Sequence, residues 1–325
     1  MLHVGIDVGK SFLDAAADGP APALPRRVPN DADGIERLAV ALGAVAPALV
    51  VLEATGASHR PLLAVLVAAS VPAAVANPAQ VAAFRQARLG REQTDRADAA
   101  LLARFARVHG ADLRRTTPTD PVQTTLRELV SYRDGQVAER TRLKNRPHAN
   151  GFGGDAWVAA RLAVDLTEVE ARLAAVEARL AAVEAEIGQL LDGLPEAAVL
   201  RAMPGVGPRV AAAVLAYLPV AIWGNAKAAA AYAGVHPRRE QSGQRDRSRL
   251  SKQGHAGLRR YRYVAATVAV RHDADLAAFR DRLLARGKSK RSATCAAMHK
   301  LLRRMMGRLR DFAAAHDASP AALAA

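Results

Sequence analysis

The sequence predicts an α/β N-terminal domain, a long helical connector and a mostly helical C-terminal domain. Short apolar runs alternate with helical patterns over roughly the first 120 residues, which is typical of a layered α/β fold. A regular apolar repeat follows, and after Pro195 the pattern is helical almost throughout. With 325 residues, half of them apolar, the chain can form two domains with substantial cores. The predicted boundaries are 1–120, 121–194 and 195–315, with a disordered tail at 316–325.

The first domain opens with two strands that a Gly-Lys pair separates, as in a hairpin. A third strand ends at Glu53, before the turn-prone Thr55-Gly56. Thr94 is a good N-cap residue and predicts a helix that runs to about Val108. The predicted bounds of these three strands are His3–Val8, Ser11–Ala17 and Ala48–Leu52. A helix at Pro61–Ala69 and a fourth strand at Val71–Val75 are also predicted.

The connector begins with a helix from Pro121 to about Arg146, and a Gly-rich break follows at Asn150–Gly154. Four heptads then place apolar residues at alternating steps of three and four, as a coiled-coil seam requires. The seam can pair with the preceding helix or with another copy of the chain. Its length favours assembly into a dimer or tetramer. The seam residues are Leu166, Val169, Leu173, Val176, Leu180, Val183, Ile187 and Leu190.

In the C-terminal domain, His236–Gly254 is polar, Arg-rich and punctuated by glycine, which predicts a loop. The predicted helices are Glu196–Arg201, Arg209–Tyr217, Ala226–Ala233, Leu258–His272, Ala274–Ala285 and Ala293–Ala315.

The positive charge is concentrated near the C-terminus. The chain has a net charge of +15, and 21 Lys or Arg against 5 Asp or Glu lie between Val235 and Arg310. Such a local excess suits a DNA or RNA backbone. The alternative is a solvated surface in an Arg-rich proteome.

The single cysteine, Cys295, excludes a disulfide framework and a thiolate zinc site. We expect neither a signal peptide nor a membrane helix, because no apolar stretch reaches about 20 residues. The sequence thus favours a cytoplasmic bacterial protein, associated with the nucleoid and without a membrane partner.

Four acidic residues are candidates for metal binding. Asp7 lies inside an apolar strand, where an unpaired carboxylate is costly. Glu53 ends another strand, and Asp95 and Asp98 share one helix face. Converging carboxylates suit Mg²⁺, with Mn²⁺ as a substitute, and two such ions catalyse phosphoryl transfer. The structural alternatives are a surface position for Glu53 and a helix N-terminus that favours the aspartates.

Two basic segments are candidates for nucleic-acid binding. The turn with Gly205 and Gly207 opens a helix and resembles a helix-hairpin-helix, whose amides bind a backbone phosphate; an ordinary tight turn is equally compatible. In the polar segment, Ser242 lies among arginines that could stabilise a serine nucleophile. Ser-Gly is also a common turn, and Ser248 and Ser251 compete for the role. The basic candidates are Arg238, Arg239, Arg245, Arg247, Lys252, Arg259 and Arg260.

The order of these segments resembles the DEDD-type transposases of the one-hundred-ten insertion-sequence family, which includes Piv-like DNA invertases. The resemblance extends from Val4 to about Arg310. It rests on GIDVGKSFLDAAA, LEATGASHRPLLAVL, TDRADAALLARFA, RAMPGVGPRVAAAVLA, AAAYAGVHPRREQSG and LSKQGHAGLRRYRYVAA.

The resemblance implies an RNase H-like (RuvC-like) first domain with a metal-binding tetrad at Asp7, Glu53, Asp95 and Asp98. It implies that Ser242 attacks DNA and becomes covalently joined to it. Many members are guided by a structured non-coding RNA. Two departures are Gln93, where the family usually has Lys, and Pro147, which interrupts the entry to the connector.

Three alternatives remain at this point. A RuvC-like junction resolvase would use the acids with water as nucleophile. An actin-like ATPase or sugar kinase also opens with a strand, Asp and a Gly turn, but needs a later Gly-rich adenosine loop that we do not find. An inactive DNA-binding relative would not need all four acids and Ser242.

Overall fold

A computed structural model describes residues 1–53, 58–87, 94–116, 120–145, 156–235, 237–242, 245–250 and 254–316. Along 237–242 and 245–250, and at 156, 159 and 160, the description is of the backbone. The chain forms two compact units, Met1–Pro118 and Thr119–Ala325. The predictions that lie outside the described residues are the tail apart from its first residue, 316, the break at 150–154, Gln93, Pro147, Ser251 and Lys252. The three-domain division stays a prediction.

The first unit contains a mixed five-stranded sheet in the order β3-β2-β1-β4-β5. The β1–β2 and β2–β3 pairs are antiparallel, whereas β1–β4 and β4–β5 are parallel. The predicted N-terminal hairpin and the predicted α/β class are therefore confirmed. The strands are β1 (His3–Val8), β2 (Phe12–Ala17), β3 (Arg27–Pro29), β4 (Leu49–Glu53) and β5 (Ala73–Ala76).

Helices cover both faces of this sheet. The side chains of Val4, Ile6 and Val8 pack on one face with the first two helices, because successive residues of a strand point to opposite sides. Leu49 and Val51 pack on the other face with the next two. The helices are α1 (Ala32–Val45), α2 (Arg60–Ala68), α3 (Pro78–Ala87) and α4 (Asp95–His109).

Gly5 brings the backbones of β1 and α4 into close contact. A Cβ atom at Gly5 would lie 2.2 Å from the Ala103 nitrogen and 2.2 Å from the Ala99 oxygen. Residues 5 and 7 share one face of β1, so this contact also sets the distance between α4 and Asp7. The predicted helix from Thr94 to Val108 is confirmed to within one residue at its C-terminal end, His109.

The second unit is helical apart from one hairpin. Its helices are α5 (Pro121–Asn145), α6 (Ala156–Asp192), α7 (Pro195–Arg201), α8 (Pro208–Tyr217), α9 (Ala226–Tyr232), α10 (Ala256–His272), α11 (Ala274–Ala285) and α12 (Lys290–Ala315). No helix among the described residues is long and apolar enough to cross a membrane.

The seam of α6 packs against α5 of the same chain. Val169, Val176 and Leu180 are buried with Leu143, and Ile187 is buried near Leu126 in the main core of this unit. These positions are covered without a second copy, so the coiled coil between protomers stays a prediction. Towards its N-terminus α6 is exposed, with Leu166 42% and Val164 50% accessible.

Two strands lie within 236–254, so the prediction of a loop for this segment was wrong. Pro237–Ser242 (β6) pairs antiparallel with Arg245–Leu250 (β7), with Ser242 opposite Arg245. Only residues 243 and 244 separate the strands, and a glycine in the first position of such a two-residue connection is typical of hairpins. The abundance of charged residues concealed this signal.

The two ends of the hairpin segment are held together at its base. Gly254 has a φ of +123°, and a Cβ there would lie 2.4 Å from the Gly234 nitrogen. The His255 amide donates to the Tyr232 oxygen at 3.1 Å. The fully buried Arg262 donates to the Ala233 oxygen at 3.2 Å, at the end of α9. These contacts fix the entry and exit of the hairpin segment.

Three elements of the first unit were not predicted: β3, α1 and α3. Asp31 caps α1 by accepting a hydrogen bond from the Gly34 amide at 2.8 Å, an N-cap that the sequence contained. Pro78 opens α3, which is where proline is tolerated in a helix. Both helices are Ala-rich and contain no long apolar run, so they do not stand out in the sequence.

We predict that Gly5→Ala lowers the free energy of unfolding by about 2–3 kcal/mol, because the new methyl group clashes with backbone that cannot move alone. Gly43→Ala is the matched control, since a Cβ there meets nothing within 4 Å and α1 gains up to about 1 kcal/mol in helix propensity. Urea denaturation of both variants measures the difference. Equal midpoints for Gly5→Ala and the wild type would contradict the prediction.

Candidate active site

Three carboxylates lie on the α4 face of the sheet. Asp7 and Asp14 are opposite each other in the β1–β2 register. Ile6 of β1 pairs with Leu52 of the parallel strand β4. The next residues, Asp7 and Glu53, therefore lie side by side near the carboxyl ends of these two strands. Carboxyl ends of adjacent parallel strands are a frequent place for functional side chains.

Helix α4 adds two more carboxylates at its N-terminus. The Thr94 hydroxyl oxygen accepts a hydrogen bond from the Ala97 amide at 3.2 Å, and Asp95 and Asp98 lie in the first turn. Negative charge is favourable at this end of a helix. The two aspartates therefore stabilise the N-terminus of α4 and also face the sheet. Their place at the helix N-terminus is compatible with a role in metal binding.

Two arginines bind these carboxylates. Arg27 Nε and Nη2 donate to Asp14 at 2.9 and 2.8 Å, and Nη2 also donates to Asp95 at 2.8 Å. Arg85 Nη2 donates to Asp98 Oδ1 at 2.8 Å. Charge-assisted bonds of this length are strong. They give both aspartates of α4 a cationic partner.

Asp14, Arg27 and Arg85 were not predicted as part of this site. Asp14 is a carboxylate within an apolar strand, the same signal that identified Asp7, and the predicted hairpin already placed β1 beside β2. Arg27 and Arg85 gave no comparable signal, because their partners are far away in sequence.

Asp7 and Glu53 are electrostatically perturbed. Burial, together with repulsion from Asp98, Asp95 and Glu53, raises the pKa of Asp7 to about 6. Burial also raises the pKa of Glu53; Arg85 opposes this shift and Asp98 adds to it. The four predicted acids therefore repel one another, and among the described residues Asp7 has no ion-pair partner that would offset this repulsion.

The donor set suits a hard divalent cation. Carboxylate oxygens are the ligands that Mg²⁺ prefers, and a nearby cation would relieve the repulsion that raises the pKa of Asp7. Within the described ranges, however, no three acidic, histidine or cysteine side chains are already gathered as a ligand set. Asp95 and Asp98 would have to exchange their arginine partners for the ion.

The second unit holds the remaining candidates. Ser242 is the last residue of β6, and Arg238, Arg239, Arg245 and Arg247 lie on the same hairpin, for which only the backbone is described. All of these assignments stay predictions.

Other candidates of this unit have structural partners. Gly205, at a φ of +81°, would place a Cβ 2.5 Å from the Ala265 oxygen, so packing against α10 explains this glycine without a phosphate. Gly207 is the N-cap of α8 and is open around its Cα. Arg260 Nη2 lies 2.7 Å from Asp134 Oδ2, while Arg259 is partly exposed.

The Asp7 shift predicts how stability depends on pH. Because the folded-state pKa of about 6 exceeds the ordinary value of 3.8, the native state holds this proton more tightly than the unfolded chain. The resulting stabilisation is full below about pH 4 and is lost as the pH rises through 6. We expect wild type to lose about 1–2 kcal/mol over this range relative to Asp7→Asn, after allowance for partial solvent screening.

Chemical denaturation at pH 4 and pH 7, in the presence of a chelator, checks this expectation. Asp33→Asn, at an exposed position of α1, is the matched control and should follow the wild type. A parallel pH dependence of Asp7→Asn and wild type would show that Asp7 is not perturbed.

Comparison with known proteins identifies the family of this chain. A family model described as "Transposase", for the DEDD-type IS110 group, matches residues 4–150, and one described as "Transposase IS116/IS110/IS902 family" matches residues 197–281. The chain is also 25% identical over 320 residues to the pilin gene-inverting protein of Moraxella bovis, covering 92% of this chain and 93% of that protein. The corresponding protein of Moraxella lacunata gives the same identity and coverage. This chain belongs to the IS110 family of insertion-sequence transposases.

Proposed function

We propose that this transposase cleaves and rejoins DNA by metal-dependent phosphoryl transfer, with Mg²⁺ or Mn²⁺ held by Asp7, Glu53, Asp95 and Asp98. The observation that carries the proposal is the raised pKa of Asp7 among these carboxylates on one face of the sheet. Family membership supports the DNA substrate, and it disfavours the alternative of an actin-like ATPase or sugar kinase.

The residues of the site have distinct tasks in this proposal. Asp7 and Glu53 project from paired strands and give the site fixed oxygen ligands, whereas Asp95 and Asp98 exchange Arg27 and Arg85 for the ion. Bound there, Mg²⁺ would activate an attacking oxygen and stabilise a leaving one. The released guanidinium of Arg85 is then available to a phosphate, because an arginine can donate two hydrogen bonds to two phosphate oxygens.

Ser242 is the proposed nucleophile. Its hydroxyl oxygen forms a bond to phosphorus and gives up its proton to solvent or a basic group. The bond from phosphorus to a deoxyribose oxygen breaks, and that oxygen leaves as a DNA hydroxyl. Attack by a DNA hydroxyl on the phosphoserine reverses these steps and rejoins the strand. The acids and Ser242 belong to different units, so they must meet within one chain or between two.

The hairpin has features that favour an anionic partner. Its register places Arg238 opposite Arg249 and Ser242 opposite Arg245. Like charges on directly opposed residues destabilise a sheet, and a two-stranded hairpin is only marginally stable by itself. A DNA backbone along the hairpin would offset both costs, with one phosphate near Arg238 and Arg249 at its base and another near Arg245, opposite Ser242.

Two further partners are proposed on other grounds. A structured guide RNA follows from the family resemblance, and sequencing the RNA that copurifies with the protein tests it directly.

A homo-oligomer is the second proposed partner, because recombination joins two DNA duplexes. Since the seam of α6 is covered by α5, the exposed Val164 and Leu166 are the better contact. We expect Val164→Glu with Leu166→Glu to lower the mass measured by light scattering; an unchanged oligomeric mass would contradict this.

For the metal site, we predict that Asp7→Asn and Glu53→Gln each lower strand cleavage by about a thousandfold, the effect of several kcal/mol of lost transition-state stabilisation. DNA binding should persist, because the basic residues lie elsewhere. Cleavage of a labelled donor DNA in Mg²⁺ measures the effect, with Asp33→Asn as the control. Cleavage by either variant at the wild-type rate would refute the assignment.

For the nucleophile, we predict a covalent phosphoserine bond between Ser242 and DNA. The reaction is trapped on nicked suicide DNA, the product is digested, and mass spectrometry identifies the peptide that carries a nucleotide. Ser242→Ala should abolish the adduct, whereas Ser248→Ala should keep it.

Other outcomes would each point to a different mechanism. A nucleotide on Ser248 or Ser251 would move the assignment within the segment. Efficient cleavage without any adduct would favour water as the nucleophile, and with it a resolvase-like nuclease.

A further inference from the structure

The two arginines of the acidic site are held in different ways. Arg85 donates one hydrogen bond to a carboxylate of the site, from Nη2 to Asp98 at 2.8 Å. Its Nε is buried and has no acceptor among the described residues. Arg27 instead donates to two carboxylates at once, Asp14 and Asp95. The difference matters because the proposed metal site requires both aspartates of α4 to exchange their arginines for an ion.

Asp14 anchors the Arg27 guanidinium on the sheet. Nε and Nη2 of Arg27 donate to the two carboxylate oxygens of Asp14 at 2.9 and 2.8 Å, a fork that fits a carboxylate. Asp14 is 7% exposed and pairs with Arg27 in the β2–β3 register. The guanidinium carbon also lies 5.3 Å from the centre of the Phe12 ring, within the range of a cation–π contact. Arg27 is therefore held in place independently of Asp95.

This anchoring strengthens the contact between Arg27 and Asp95. The same Nη2 donates to Asp95 Oδ2 at 2.8 Å, although the Asp95 side chain is 65% exposed. Exposed ion pairs usually contribute little to stability, because the entropy lost in ordering two side chains offsets the attraction. Here Asp14 has already ordered the guanidinium, so only the short side chain of Asp95 remains to be ordered.

We propose that Arg27 is a positioning residue that holds Asp95 away from the metal ion in the DNA-free protein. The inference rests on the proposed metal site and adds a difference between its two sides. An ion that binds Asp98 competes with Arg85, which makes a single bond to the site. An ion that binds Asp95 competes with a guanidinium that stays in place on Asp14. The Asp98 side therefore accepts an ion more readily than the Asp95 side.

This difference would protect the protein from unwanted reactions. Phosphoryl transfer with two ions requires both sides of the site to be occupied. A site that fills incompletely without DNA therefore cannot cleave phosphodiesters at random. Substrate phosphates are themselves ligands of such ions, so they add the attraction that completes the site.

The first test measures metal binding without any reaction. DNA-free protein is titrated with Mn²⁺, and the electron paramagnetic resonance signal of the free ion gives the dissociation constant. Arg27→Gln removes the guanidinium and should lower this constant by about tenfold, the effect of one charge-assisted hydrogen bond. Arg26→Gln, at the exposed neighbouring position, has the same loss of charge and should change the constant clearly less. Equal constants for Arg27→Gln and wild type, or equal gains in both variants, would overturn the inference.

A lysine at position 27 separates the shape of the guanidinium from its charge. Arg27→Lys keeps a positive charge beside Asp14, which preserves the ion pair between β2 and β3. A single ammonium cannot form the parallel bonds of a guanidinium and also reach a second carboxylate. We therefore expect Arg27→Lys to bind Mn²⁺ more tightly than the wild type does. Wild-type affinity in Arg27→Lys would mean that charge alone is responsible, against the proposal.

A double-mutant cycle with Asp95→Asn tests whether Arg27 acts through Asp95. Asparagine has no charge with which to attract the guanidinium. In the Asp95→Asn protein, adding Arg27→Gln should therefore change the Mn²⁺ dissociation constant by no more than about twofold, as expected for sites that do not interact. If the full gain persisted there, Arg27 would act by repulsion across the site, and its positioning role would be refuted.

The titration also distinguishes failure of this inference from failure of the metal site. Asp7→Asn should weaken Mn²⁺ binding strongly, which shows that the signal reports the proposed site. Binding that depends on Asp7 but not on Arg27 would overturn the positioning role alone. Binding that does not depend on Asp7 would contradict the metal site, and the inference with it.

Discussion

The close contact between β1 and α4 is the constraint on which the first unit depends. Only a glycine at position 5 allows the α4 backbone to approach the strand this closely. The contact determines where Asp95 and Asp98 lie relative to Asp7, two residues further along the same face of β1. Gly5 therefore serves the packing of the sheet and also determines the geometry of the candidate active site.

The close contact between α4 and β1 also explains why the acidic cluster needs positively charged partners. Bringing a helix N-terminus with two aspartates to a sheet that already carries Asp7, Asp14 and Glu53 concentrates negative charge. Arg27 and Arg85 reduce this charge at the outer carboxylates, but the described residues offer Asp7 no such partner, and burial and repulsion raise its pKa. The site combines rigid carboxylates on strands with carboxylates that have exchangeable partners, an arrangement suited to binding and releasing an ion.

Much of the first unit could be predicted from local sequence. Short apolar runs separated by a Gly-Lys pair predicted β1 and β2, and Thr94 predicted the start of α4, because strands and helix caps leave their signal within a few residues. Arg27 and Arg85 could not be predicted, since each meets an aspartate only after the chain has folded. The pairing of the α6 seam with α5 also lay beyond the sequence, because heptads specify that a helix needs a partner and not which one it takes.

The backbone contacts at the base of the β6–β7 hairpin limit where Ser242 can lie. Gly234 and Gly254 meet at backbone distance, and Arg262 holds the end of α9 next to them. From this pivot, the six residues of β6 extend about 20 Å to Ser242. Any swing of the hairpin therefore moves the serine over a surface of about that radius, while its base stays in the helical core. In the proposed mechanism, the acidic site and the DNA therefore have to come within about 20 Å of these backbone contacts for Ser242 to react.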